Sequence, residues 1–324
     1  MRGLSSILLA TSAALVFPGS AAVAGAGNSQ VETIVTGTAH QALFAVAFEG
    51  KRGTAVGAGC QILLTDDGGK KWNASNASGL TSLSLLGVDV AGGTGIAVGQ
   101  DGLVLIEDAA DHWQKVDAGT HERLFAVSVN AGGTAVAVGA FGTIVRSIDH
   151  GHTWQSIAPA DIAQYSDQGA QPHLYAVTVA DRGTITVVGE FGLVLRSEDG
   201  GAHWKAMHKG EASLFALDLH PGRPGFAVGQ SGTVLRSTDG GSTWMGLKSN
   251  STANLLGVSS DANGKVIVTG MDTMLRSGDG GATWSHIDWG DFGSAWYAGV
   301  QLVDSSPETA ILVGHAGRIL RMSP

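Results

Sequence analysis

Five aspartates recur in one fixed setting along this 324-residue chain: Asp67, Asp149, Asp199, Asp239 and Asp279. Each stands two residues after a Ser or Thr and five residues before a Trp, namely Trp72, Trp154, Trp204, Trp244 and Trp284. A carboxylate in such company can do one of two things. It can move protons, if a second titratable group is held against it. It can also hold a tight turn, by accepting hydrogen bonds from backbone N–H groups a few residues on. A catalytic pair is not copied into five repeats, so the spacing points to the turn. In the copy VLRSTDGGSTW, residues 234–244, Gly241 supplies the freedom for positive φ. Trp244 opens the next strand with a large apolar face and one N–H donor.

The remaining chemistry-bearing residues are few. The tyrosines are Tyr165, Tyr175 and Tyr297. Tyr175 and Tyr297 are read at the aromatic position of a recurring strand, where Phe44, Phe125 and Phe215 stand, and so as core packing. His150 and His152 flank Gly151 inside a turn, and two histidines so spaced need two further ligands to hold a metal. No metal or other cofactor is expected. Cys60, the single cysteine, reads as a small buried residue at a turn position occupied by Gly in other repeats. Arg146, Arg196, Arg236 and Arg276 each precede the turn Ser. They read as stems laid against a neighbouring repeat with the guanidinium at the rim. No phosphate loop, dinucleotide fingerprint or nucleophile elbow is present.

The elements that carry these residues repeat at a fixed interval. The tryptophans at 72, 113, 154, 204, 244 and 284 are 41, 41, 50, 40 and 40 residues apart. A period of this size, built from strand and turn signals, indicates a propeller or solenoid. Each repeat reads as four strands. In the fifth they are LFALDL (214–219), GFAVG (225–229), GTVLRS (232–237) and a strand begun by Trp244. The first is apolar on both faces, as expected of a strand between neighbouring sheets. Its third residue is small in the first six repeats (Ala45, Gly87, Ala126, Ala176, Ala216 and Gly257), which lets inner strands crowd an axis. A seventh repeat starts at Trp296 and ends without a fourth strand. The spare stretch 31–36, VETIVT, is expected to supply it and close the ring, leaving no free edge. The fold class is therefore all-β: a seven-bladed β-propeller closed by an N-terminal strand.

Composition narrows the setting. Residues 1–24 read as a secretory signal peptide, with Arg2 ahead of a short apolar core and a small-x-small site at Ala22–Ala24. The mature propeller then spans 25–324, with 18 basic against 28 acidic side chains, a net charge of −10. Nucleic acid needs a basic stripe that this chain lacks. No second stretch is apolar and long enough for direct membrane insertion. An exported, periplasmic or secreted, monomeric protein without internal disulfides is expected.

What remains is a face. The turns between second and third strands vary most, as do the connections between blades, and both fall on one end of the ring. The candidate partner-binding residues are Phe141 and Phe191, with Glu190, Gln230 and His315 on the turns. His121, Glu122, Arg123 and His173 join them from the connections, and Tyr165 from the long connection 159–172. Phe141 and Phe191 in adjacent blades read as an exposed apolar anchor inside a polar rim.

The pattern S-x-D-x-G-x-T-W matches the Asp box, or BNR repeat, which in proteins that carry it joins the two outer strands of a propeller blade. Seven repeats of the form LFAV…AVG..G.VLRS.DGG.TW after a signal peptide resemble the photosystem II stability/assembly factor family. The resemblance covers nearly the whole mature chain. It implies a non-catalytic scaffold outside the cytoplasm that binds a protein partner to assist assembly or stability of an envelope membrane complex, and a link to photosynthesis in photosynthetic hosts. Family members there use an arginine-rich patch, to which Arg146, Arg196, Arg236 and Arg276 are nominal matches. The other reading is a glycan-binding module or sialidase-like glycoside hydrolase, since those enzymes also carry Asp boxes. They further require three arginines on a carboxylate, a tyrosine nucleophile with an acid partner, and an early Arg-Ile-Pro motif that is absent here.

Overall fold

In the computed structural model, which describes residues 30–109, 111–166, 169–303 and 309–323, the repeats fold into seven four-stranded antiparallel sheets. The signal segment expected over 1–24 lies outside the described residues. Blade three shows the plan: Leu124–Val129, Ala135–Gly139, Ile144–Ser147 and Gln155–Ser156, paired in that order. The outermost strand begins one residue beyond the box Trp, not at it, in blades one and three to six; in blade two the strand His112–Val116 includes Trp113.

Blade seven is made from both ends of the described chain. Gln30–Val35 pairs antiparallel with Ile319–Ser323, from Gln30 opposite Ser323 to Val35 opposite Ile319. The closure expected from the spare N-terminal strand is present, one residue earlier than the expected span. The ring thus covers the edge of its last sheet with its own chain, removing a template for aggregation.

The core lies between blades. The second strands, such as Ala135–Gly139, are buried throughout, apart from Arg52 at the start of blade one's. Small residues at the third inner-strand position permit the close approach: a Cβ on Gly87 would lie 2.8 Å from the Ala126 Cα of the next blade. Lower on the inner strands, side chains tie five of the seven neighbouring blade pairs together. Asp89 accepts from Val129 N–H (2.8 Å), Ser128 from Val179 N–H (3.2 Å) and Asp218 from Ser260 N–H (2.8 Å). Ser259 accepts from Leu302 N–H (3.0 Å) and Gln301 from Phe48 N–H (3.1 Å), carrying the belt across the closure. These residues line a cavity of ≈ 970 Å³ in the axial channel.

The repeated aspartates sit in the turn between third and fourth strands. In blade five, Ser237 Oγ donates to Asp239 Oδ1 (2.8 Å) and accepts from Gly241 N–H (2.8 Å). Asp239 accepts in turn from Thr243 N–H and Thr243 Oγ1, and Trp244 Nε1 donates to Gly241 O. Gly241 stands at φ +89, the left-handed region that the sequence assigned to it. These donors hold Asp149, Asp239 and Asp279 at a pKa of about 2, with the Thr hydroxyl the largest cause in each. The geometry is that of a turn clamp in every intact copy.

Blade two has lost the box, and other groups fill its place. Glu107 stands where the Ser would be. Its Oε1 accepts from Asp111 N–H (2.9 Å), and its carboxylate pairs with Arg52 of blade one. Asp111 reaches back to Ser75 and Asn76. The strand-three arginines complete the circuit at the rim. Arg146 Nη1 donates to Gly200 O (2.5 Å) and Arg196 Nη1 to Gly240 O (2.6 Å), each in the box of the following blade. Arg236 lies beside Gly280 in the same way. Arg146 and Arg196 therefore brace neighbouring blades near the box end, the opposite end of the strands from the variable turns.

Candidate functional site: the aromatic channel mouth

Every inner strand carries a β-bulge at its second residue. In blade three, Leu124 pairs with Gly139 and Ala126 with Val138, so Phe125 opposes no residue. The same slip occurs in all seven blades. A bulge re-aims the side chain of the extra residue. The residues so placed are Phe44, Leu86, Phe125, Tyr175, Phe215, Leu256 and Ala298, and the four aromatic ones are half-buried.

Three of these aromatics meet across blade boundaries. Phe125 and Tyr175 have centroids 5.4 Å apart, as do Tyr175 and Phe215. Phe44 stacks on Trp296 at 6.0 Å. Sequence reasoning placed Tyr175 in the core with this whole position. The structure corrects that: the bulge takes it out of the ladder, to the channel end beside the variable turns. Tyr297 is core packing, as expected, but at a different position of the strand. It pairs with Gly314 in the register of Leu43, not of Phe44, and is buried at 1% exposure.

A polar layer sits on the arc at the junction of blades three and four. Phe141 N–H donates to His173 Nδ1 (3.1 Å), and the two rings lie 4.9 Å apart. His173 N–H donates to Glu190 Oε2 (2.8 Å), and Tyr175 Oη donates to Glu190 Oε1 (3.4 Å). Burial, then the Glu190 charge, pushes the Tyr175 hydroxyl up to about 12. That is the opposite of the activation a tyrosine nucleophile needs. Tyr297 is likewise raised to about 12, chiefly by burial.

Phe141 is 56% exposed and holds φ 50. The corresponding residue of every blade is left-handed: Gly59, Asp101, Phe141, Phe191, Ser231, Asp272 and Ala316. Gly, Asp and Ser are turn-formers, Asp and Gly being the residues that most readily adopt this conformation; a bulky aromatic is an outlier in it.

Residues 26–185 match the family described as Photosynthesis system II assembly factor YCF48. The chain belongs to the photosystem II assembly factor-like family of BNR propellers. No curated protein matches it in sequence. Among solved structures it is similar to "YCF48 bound to D1 peptide" at 20% identity and TM-score 0.69, over 92% of this chain and 98% of that one. YCF48 from Cyanidioschyzon merolae gives 17% and 0.70, over 91% and 98%. The GH74 xyloglucanase from Xanthomonas campestris gives 15% and 0.68, over 90% of this chain and 53% of that one. At these identities the structural likeness is one of fold.

Within this family member, the sequence-chosen residues divide. Phe141, His173 and Glu190 come together as described. Phe191 is half-buried, against the exposed anchor expected, and its carbonyl accepts from Gly210 N–H (2.8 Å). Gln230 braces a turn, accepting from Ser213 N–H (3.3 Å). His121, Glu122 and Arg123 are exposed on the connection into blade three, with His121 Nδ1 3.3 Å from Asp101. Tyr165 packs in the long connection, donating to Trp204 O (3.3 Å) under Lys209 at 5.9 Å. His315 lies apart, on Asp291 (2.8 Å), which also holds Arg318 and Tyr297. Cys60 is buried, with its thiol pushed up by burial, and takes φ 57 where blade two has Gly102. Among the described residues no group of three His, Cys, Asp or Glu is placed for a metal.

Proposed function

We propose that this chain is an exported, non-catalytic propeller scaffold that binds a protein partner across its aromatic mouth and assists assembly or stability of an envelope membrane complex. The observation that carries the reading is the arc of Phe125, Tyr175 and Phe215 on bulges, crowned by Phe141 in a strained conformation. A fold keeps a strained, exposed aromatic where something other than packing selects it. Family membership supports the reading, as does the relative whose title records a bound D1 peptide. Of the strand-three arginines, nominal counterparts of a binding patch, Arg146 and Arg196 bond to the next blade instead.

The test is affinity capture from detergent-solubilised membranes with the tagged mature protein. Wild type is expected to retain a defined membrane-complex subunit, and Phe141→Asn with Tyr175→Ser to lose it. Equal capture by both overturns the proposed face. Fractionation tests export: recovery of the full-length, uncleaved chain in the cytoplasm overturns that part.

A second reading, a glycan-binding or glycan-cleaving module, rests on the fold shared with a xyloglucanase and on stacked rings that could take a sugar face. Turnover of a fluorogenic glycoside that disappears in Tyr165→Phe would establish it over the first.

A further inference from the structure

The mouth carries a charge pattern as well as rings. Asp101, Glu122, Glu190, Glu211 and Asp272 stand on the turns and connections around it, and all but the half-buried Glu190 are exposed. Against them the same segments carry Arg123, Lys209 and Arg318. Arg318 is paired with Asp291, and Lys209 lies over Tyr165 with its ammonium on Gln164 O. The balance is acidic, in keeping with the mature net charge of −10. It is the reverse of the arginine-rich surface expected by resemblance. Carboxylates around a cluster of aromatic rings raise the local concentration of cations and repel anions.

We infer that the occupant of the mouth is an extended basic segment of a partner protein, with an aromatic or aliphatic side chain seated on Phe125, Tyr175 and Phe141 and flanking Lys or Arg on the acidic rim. This rests on the proposed scaffold reading and specifies its partner. The apolar residue supplies contact area on the rings, and the flanking cations reach Glu190 on one side and Asp101 and Glu122 on the other. An acidic segment meets like charge at the same places. Register comes from the centre and selection from the rim, the usual division in a desolvated anchor with a polar surround.

Fluorescence anisotropy with three labelled peptides, GKKLFKKG, GEELFEEG and GKKSSKKG, tests this on the mature protein. At about 50 mM salt the first is expected to bind at least about fivefold more tightly than the others, the advantage over GEELFEEG shrinking at about 500 mM as the rim is screened. Glu190→Gln keeps the acceptor for His173 N–H and should weaken the two basic peptides but not GEELFEEG; Phe141→Asn should bring GKKLFKKG down to the level of GKKSSKKG. Equal or tighter binding of GEELFEEG overturns the assignment, as does equal binding of the two basic peptides. If no peptide binds while Phe141→Asn still abolishes membrane-complex capture, the basic segment is refuted and the face stands. If capture is also unchanged, the face itself falls.

Discussion

Phe141→Asn separates binding from stability, because the structure assigns the ring little of the fold's free energy. Three effects meet at this residue. The left-handed conformation costs a residue with a Cβ about 1–2 kcal/mol, and Asn is among the side chains that adopt it most readily. Relief therefore contributes up to about 1 kcal/mol in favour of the variant. The ring contact with His173 at 4.9 Å is lost, at a cost of about 0.5–1.5 kcal/mol. Little burial is lost, since more than half of the side chain already faces water. The Phe141 N–H bond to His173 Nδ1 is backbone-borne and persists. The sum lies within about 1 kcal/mol of zero, against about 3–5 kcal/mol for truncating a packed Phe. At roughly 2–4 °C per kcal/mol, calorimetry should place the variant within about 3 °C of wild type. Leu124→Ala, at a fully buried neighbour, should fall by at least about 4 °C in the same assay. A drop of about 6 °C or more in Phe141→Asn would show that the ring is a packing residue, and the argument from strain to binding would fail.

Other outcomes follow from the braces. Ser237→Ala removes a hydroxyl that is 1% exposed and leaves the buried Gly241 N–H unpaired, so denaturant titration should show a loss of about 1–3 kcal/mol; Asp101→Gly, at an exposed turn whose φ of 53 suits glycine, should change stability little. The box carboxyls also set an acid limit. Asp149, Asp239 and Asp279 have folded pKa values of about 2, below the ordinary aspartate value of 3.8. The folded state thus binds fewer protons, and the contribution is present above about pH 4 and lost as pH falls toward 2. A denaturation midpoint that declines instead between pH 7 and 5 would place the acid sensitivity elsewhere. Deleting residues 25–36 exposes the edge 319–323 and should yield aggregation visible by light scattering, while a monomeric, unshifted melt would show that the closing strand is dispensable.

The ring was legible in the sequence because its signals are local and copied. Ser, Asp, Gly and Trp at fixed offsets specify one turn, and the 40-residue beat places that turn once per blade. The mouth was harder to read because a bulge leaves no local mark. LFAV reads as one apolar run, and the backbone slip that separates Leu124 from Phe125 appears only once the partner strand is paired. A signal was nevertheless present. The first position of that run is Leu in six blades and Tyr297 in the seventh, as a repeated core site should be. The second runs through Phe, Leu, Phe, Tyr, Phe, Leu and Ala, more variety than close packing between equivalent blades tolerates. Aligning blade seven on Trp296 then moved Tyr297 one place and hid the contrast. The variable turns mislead in the other direction. Their diversity looks like freedom, yet the third turn residue is left-handed in every blade. Gly or Asp meets that demand cheaply, whereas Phe141 and Phe191 meet it only under strain, and of those two only Phe141 is exposed. Variation at a conformationally demanding position is therefore not neutral, and the aromatic that is both strained and exposed is the strongest pointer to what the face is for.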